Sequence, residues 1–188
     1  IAAGRQPNTD MLNLEAAGVK MDKRGFVVVD DTGRTSVPHI FALGDVNGRG
    51  AFTHTSVHDG QVFVDFLNGG DRKISDRKPI HALYMDPPLA RVGFSEEEAR
   101  NSGKKLLLGR YKMSAVSRAR EKGETDGLMK IIVEKDTDLI KGATVFGVGG
   151  DEVIGILALA MQAGLSYQKL QETVLPHPTV SELVPWVF

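Results

Sequence analysis

Residues Leu128–Phe146 read LMKIIVEKDTDLIKGATVF. Two runs rich in β-branched and apolar residues, Leu128 to Glu134 and Ile140 to Phe146, are joined across Asp136-Thr137-Asp138, a cluster of turn-forming residues. That pattern predicts two antiparallel neighbours in a sheet. Toward the N-terminus, further strands are expected at His81 to Met85, Ala90 to Phe94 and Lys105 to Lys112. Between them SEEEARNSG opens on Ser95 as an N-cap, places acids in the first helical turn and stops at Gly103. Toward the C-terminus a helix begins near Asp151. Its Val153, Ile154, Ile156, Leu157, Leu159 and Met161 are apolar on nearly every side, so it is expected to be buried all round, with a subunit interface as one way to bury it. Residues 79–188 therefore read as α+β, an antiparallel β-sheet flanked by helices.

Residues 1–78 read differently. A short strand from Ile1 to Ala3 leads into a turn at Gly4-Arg5-Gln6-Pro7-Asn8. Strands are expected at Phe26 to Asp30 and along HIFALGD, which ends on Gly44-Asp45, with a turn at Asp31-Thr32-Gly33 between them. From Thr53 to Leu67, Val57, Val62, Phe63, Phe66 and Leu67 recur at helical spacing, and Asn68-Gly69-Gly70 ends that helix. The charged DRKISDRKP that follows reads as a linker. Ile1 opens the chain in mid-pattern, which reads as part of a longer protein.

The 23 basic and 24 acidic residues are interspersed, so no basic footprint marks nucleic acid or a membrane surface as a partner. The apolar run from Val153 to Ala163 is too short to span a bilayer, and a cytoplasmic setting is the default expectation. With no cysteine, these 188 residues offer neither a disulfide, a thiolate metal site nor a cysteine nucleophile.

Gly44-Asp45 stands where open α/β sheets bind ligands, at the carboxyl end of a strand with a helix close behind. The Asp45 carboxylate can accept hydrogen bonds from ligand hydroxyls, or it can cap a turn. FGVGGDEV suggests a dinucleotide fingerprint, but Glu152 occupies the place of the third glycine and no acidic residue ends a following strand, so it reads as a turn. His54 and His58 stand four apart on the expected helix without a third metal ligand, and His81 belongs to no metal-like arrangement either. In the tail, HPTVSE supports two readings. Thr179 and Glu182 fit a capping box, with His177 incidental; alternatively, Glu182 can accept a hydrogen bond from the His177 imidazole and fix its tautomer for acid–base work.

IAAGRQPNT, TSVPHIFALGDV, DPPLARVGFSEEEAR and HPTVSE, in this order and spacing, resemble the flavoprotein (pyridine nucleotide) disulfide oxidoreductases, the group of dihydrolipoamide dehydrogenase, glutathione reductase and mercuric reductase. The resemblance covers essentially the whole chain and is strongest to the dihydrolipoamide dehydrogenase and mercuric-reductase-like branch. FTHTS and VSRAR are similar to segments of bacterial reductases implicated in resistance to reactive chlorine and hypothiocyanous acid.

The resemblance implies a C-terminal part of an FAD-dependent NAD(P)H:disulfide oxidoreductase. Residues 1–78 would be the end of the NAD(P) domain and the returning, partial α/β segment of the FAD domain, and residues 79–188 the dimerisation domain of a homodimer. Gly44 and Asp45 would then face a ribityl hydroxyl of FAD, with Ala51, Phe52 and Thr53 at the helix start beside the flavin. His177 would be the acid–base histidine and Glu182 its orienting partner, reaching a redox disulfide of the other subunit. FAD and NAD(P)H would both need residues outside this chain, so the chain alone is expected to be inactive; a self-associating module without catalysis is the alternative. The oxidised substrate would be a small-molecule or protein disulfide or a thiol-reactive oxidant. The family's mercuric reductases usually end in a vicinal cysteine pair, which makes Hg(II) a less favoured substrate here.

Overall fold

A computed structural model describes residues 4–188; the strand expected at Ile1 to Ala3 lies outside the described residues. The chain divides into two compact units, Ile1–Arg77 and Lys78–Phe188.

The second unit is built on one five-stranded sheet: β1 (Ile80–Leu83), β2 (Leu89–Gly93), β3 (Leu106–Lys112), β4 (Leu128–Glu134) and β5 (Ile140–Phe146). Their order is β1-β2-β5-β4-β3, every neighbouring pair antiparallel. The β4–β5 hairpin expected from Leu128–Phe146 thus forms, and β5 occupies the middle of the sheet. Register explains the two faces. Ala90, Val145, Met129 and Tyr111 lie side by side across four strands, and the next row on that face is Val92, Ala143, Ile131 and Gly109. Most of these side chains are buried, because alternate residues of a strand share a face and this face carries almost only apolar groups.

The row between them is Arg91, Thr144, Lys130 and Arg110, on the opposite face. Its cations are met by α2 (Glu96–Asn101): Glu96 contacts Lys130 at 3.0 Å and Arg110 at 3.1 Å, as well as Arg100 within its own helix at 2.7 Å. Ser95 caps α2 as expected, accepting from the Glu98 amide at 3.0 Å while Glu98 accepts from the Ser95 amide at 2.7 Å.

Helix α4 (Gly150–Gln162) packs on the apolar face against β2 and β5. Gly149 supplies its N-cap in the left-handed region (φ 68°), which accounts for the glycines of FGVGGDEV as turn residues. Val153, Ile154, Leu157 and Ala160 are buried, but Glu152, Gly155, Leu159 and Gln162 are exposed. The expectation of a helix buried all round is corrected within this chain: the sheet covers one side of a helix only, and Leu159 falls on the other.

Two short helices carried no periodicity long enough to read: α3 (Ser117–Lys122) and α5 (Tyr167–Gln171). Tyr167 of α5 is nevertheless an anchor. Its hydroxyl donates to the carbonyl of Pro185 (2.7 Å), lies 3.1 Å from that of Val184 and accepts from the Val187 amide (3.1 Å), while its ring meets Phe188 edge-on. The C-terminal segment is thereby tied into the core through Val184 and Val187.

Glu134, at the end of β4, is buried and accepts from Thr137 while bridging Lys104 (2.6 Å) and Lys141 (2.7 Å). Lys104, then Lys141 and Thr137, hold its carboxyl down to about 2 from an ordinary 4.5. A carboxylate depressed on folding contributes stability that is present above its unfolded value, about 4.5, and lost as pH falls through about 2. Urea unfolding at about pH 5 and about pH 2.5 is therefore expected to show a steeper loss for the wild type than for Glu134→Gln. Identical losses would remove Glu134 from the acid sensitivity.

In the first unit the two expected strands are corrected. Val27 makes an isolated bridge to Met21 and Phe41 one to Arg34, and HIFALGD ends in a 3-10 turn, Gly44–Asn47. These segments are extended and apolar, but each spends its backbone groups on scattered partners: Val27 on Val46, Val28 on Lys20, Ala42 on Gly33. No ladder builds from single bridges. Helix α1 (Thr53–Leu67) forms as expected and ends at Asn68. DRKISDRKP is not a free linker, since Ile74 is buried and Ser75 donates to Asp31 at 2.7 Å.

Candidate functional site

The candidate residues fall in both units, Gly44, Asp45, Ala51, Phe52 and Thr53 in the first, His177 and Glu182 in the second.

In the first unit a cleft of about 420 Å³ is lined by Arg5 to Asn8, Arg24, Phe26, Asp45, Val46, Gly48, Gly50 and Ala51. Asp45 presents its carboxylate here, with Oδ2 accepting from the Arg5 guanidinium at 2.8 Å and Oδ1 taking a long contact, 3.4 Å, from Ser56. Gly44 precedes it with φ 78°, and a side chain there would also meet the Ser56 hydroxyl at 2.7 Å, so both backbone and space call for glycine. Phe52 is the N-cap of α1, and Thr53 opens the helix. The Phe52 amide donates to the Thr55 hydroxyl (3.1 Å), which in turn donates to the Phe52 carbonyl (2.7 Å), fixing the entry into α1. The Phe52 ring stacks on His54 at 5.2 Å. The first turn of α1 thus starts two residues after the cleft-lining Ala51, with its amides and the positive end of the helix dipole at that end.

The sequence left Asp59 and Arg77 unread. Asp59, on α1, is 1% exposed. Its Oδ2 accepts from the Gly44 amide (2.9 Å) and the Asn47 side chain (2.8 Å), and its Oδ1 from Arg77 (2.6 Å). Burial alone pushes this carboxyl up, but the Gly44 amide, Arg77 and Asn47 together hold it below the ordinary carboxylate range. His58, beside Arg77 at 3.4 Å, is lowered as well: burial first, then the Arg77 and Arg72 charges, favour the neutral ring.

In the second unit, His177 Nδ1 lies 2.7 Å from Glu182 Oε2. The two differ sharply in exposure: the His177 side chain is 72% exposed and that of Glu182 10%. The capping-box reading of Glu182 is corrected by the same geometry. The terminal helix is a 3-10 helix, Ser181–Trp186, that starts after Val180 without a side-chain cap and contains Pro185, which has no amide to continue an α-helix. Thr179 turns its hydroxyl back to the Pro176 carbonyl (2.7 Å) and toward Ser181 (3.1 Å), while its amide reaches Glu182 at only 3.4 Å. With a carboxylate on Nδ1, a neutral imidazole carries its proton there and leaves Nε2 as the basic nitrogen on an exposed ring.

An all-antiparallel sheet with a helix on one face, ending in a histidine beside a carboxylate, is what the resemblance to a reductase dimerisation domain implies for residues 79–188. Family comparison agrees along the chain. Residues 80–188 match the dimerisation domain of the pyridine nucleotide-disulphide oxidoreductases, and residues 1–60 match the pyridine nucleotide-disulphide oxidoreductase model itself. The chain is 40% identical over 184 residues to the probable pyridine nucleotide-disulfide oxidoreductase RclA of Escherichia coli (strain K12), covering 97% of this chain and 42% of that protein. It is 34% identical to a dihydrolipoyl dehydrogenase of Geobacillus stearothermophilus, covering 97% and 39%. Among solved structures, a Cu(II) complex of the HOCl-induced flavoprotein disulfide reductase RclA from E. coli superposes with a TM-score of 0.93 at 39% identity, covering 98% of this chain and 43% of that one. The chain belongs to the pyridine nucleotide-disulphide oxidoreductase family, and it spans about two-fifths of the length of these curated relatives.

Proposed function

We propose that this chain is the C-terminal part of a homodimeric, FAD-dependent NAD(P)H:disulfide oxidoreductase, and that its own chemical contribution is proton transfer by His177. The observation that supports this most directly is the 2.7 Å contact between an exposed imidazole and a nearly buried carboxylate. A histidine that only meets solvent needs no such partner; one that must present a defined nitrogen to a reactant does.

The residues present fit FAD. Asp45 offers at the wall of a cleft a carboxylate oxygen whose contact among the described residues is a long one, suited to a polyol hydroxyl, and the start of α1 through Ala51, Phe52 and Thr53 offers amides and positive potential suited to a polar ring edge. FAD, when bound, supplies the redox link between NAD(P)H and a pair of cysteines, all of which must come from outside these residues.

The protein's own steps concern protons and position. Glu182 accepts the Nδ1–H of His177 and keeps the ring from rotating. Nε2 takes the proton of an incoming thiol, and the resulting thiolate attacks a disulfide sulfur, forming one S–S bond as the other breaks. The departing sulfur takes that proton back from Nε2–H. Atoms and charge balance over the exchange, and the histidine ends as it began. In this reading the disulfide belongs to the partner subunit, so dimerisation completes the site. The substrate class is a small-molecule or protein disulfide, or an oxidant that reacts with thiols.

Full-length protein carrying this chain is expected to hold flavin and to consume NAD(P)H in proportion to added disulfide or thiol oxidant. The 188 residues alone are expected to show neither turnover nor a stoichiometric visible flavin band. Turnover by the isolated chain, or full-length flavoprotein that reduces no disulfide or thiol oxidant, would overturn the assignment.

A further inference from the structure

Asp45 is bracketed by a residue that does not face the cleft. Asp59 holds the amide immediately before it, at Gly44, and the side chain two residues after it, at Asn47, with the same carboxylate oxygen. Asn47 also donates to the Ala42 carbonyl (3.1 Å) and accepts from the Arg49 amide (2.8 Å), so the whole 3-10 turn hangs on this point. The other oxygen of Asp59 is held by Arg77, whose guanidinium also donates to the carbonyls of Thr55 (3.0 Å) and Arg49 (2.8 Å). Those carbonyls belong to the first turn of α1 and to the loop that leads into it.

One buried ion pair therefore connects the turn bearing Asp45 with the helix start that follows it. We infer that Asp59 and Arg77 are a positioning pair for the cofactor site, setting the direction of the Asp45 carboxylate and its register against the start of α1 without touching the cofactor. The inference rests on the reading of Asp45 as a flavin contact and adds the residues that make that contact rigid. Burial of the pair supports the role: a carboxylate inside the protein is costly unless paired and hydrogen-bonded, and here every bond it makes goes to the turn or to the arginine. A salt bridge that served stability alone would have no need to share one acceptor oxygen between groups on the two sides of Asp45. The chemistry also explains the choice of arginine, since three acceptors in different directions suit a fork of donors and not a single ammonium.

The test measures FAD dissociation constants of the full-length apoprotein by flavin fluorescence, independently of turnover. Asp45→Ala is expected to weaken FAD binding, and Asp59→Asn to weaken it by about tenfold or more. In the Asp45→Ala background, Asp59→Asn should add much less than it does alone, because a residue acting through Asp45 loses its lever. A purely structural role would give additive losses, which would overturn the inference. If Asp59→Asn does not fold, Arg77→Lys keeps the charge but not the fork and is expected to show a smaller loss with the same non-additivity. Unchanged FAD affinity in Asp45→Ala would sink the cofactor reading itself; a loss there with none in Asp59→Asn and none in Arg77→Lys would sink only the positioning pair.

Discussion

Replacing His177 by Ala in the full-length enzyme is expected to slow thiol–disulfide exchange by about 10²- to 10⁴-fold while leaving flavin reduction by NAD(P)H nearly unchanged, because general acid–base catalysis is worth that much and acts only where a proton moves to or from sulfur. The two half-reactions separate in rapid-mixing experiments: flavin bleaching follows the nicotinamide, and release of thiol product follows the disulfide. This selectivity originates in the second unit. The ring is exposed and its Nδ1 is already committed to a nearly buried Glu182, so a single nitrogen is left for a reactant. Truncation to Ala removes that nitrogen with little disturbance to the fold, since an exposed side chain contributes little packing. Equal slowing of both half-reactions would mean that His177 acts on the flavin environment or on the fold, and the acid–base assignment would fall.

What could be read in advance depended on how local the physics was. The β4–β5 hairpin was legible because alternation and turn chemistry act within a few residues, and α1 because its apolar spacing runs over several turns. Phe26 to Asp30 and His39 to Asp45 misled for a related reason. Their β-branched and apolar residues record a preference for extended, buried backbone, yet a ladder requires a neighbouring strand and sequence preference cannot supply one. The tail was ambiguous at the level of spacing, since a cap and an oriented imidazole both call for a carboxylate at Glu182. Only the turn of Thr179 toward Pro176, and the late start of the 3-10 helix, separate them. Asp59 had no signal at all: a single acid on a helix reads as a solvated side chain until the chain folds the Gly44 turn and Arg77 onto it. The motif residues were visible in the sequence, and the residues that hold them in place were not.

Leu157→Ala is expected to destabilise the second unit by about 2–5 kcal/mol, seen as a lower urea midpoint with an unchanged slope, whereas Leu159→Ala, two residues along the same helix, should shift it by no more than about 0.5 kcal/mol when the chain is dilute. The contrast follows from which side of α4 meets the sheet. Leu157 is 0% exposed in the core that includes Val92 and Val145, so truncation there leaves a cavity that a close-packed sheet face cannot collapse to fill. Leu159 is 71% exposed and loses almost no contact. Concentration then separates packing from association. A helix that shows Gly155 and Leu159 on its outer side has a small-residue gap and an apolar knob available to a second copy, so Leu159→Ala is expected to weaken self-association measured by sedimentation while Leu157→Ala acts at every concentration. Should Leu159→Ala leave association untouched, the exposed side of α4 would be an ordinary solvent face, and any self-association of this domain would have to use another part of its surface.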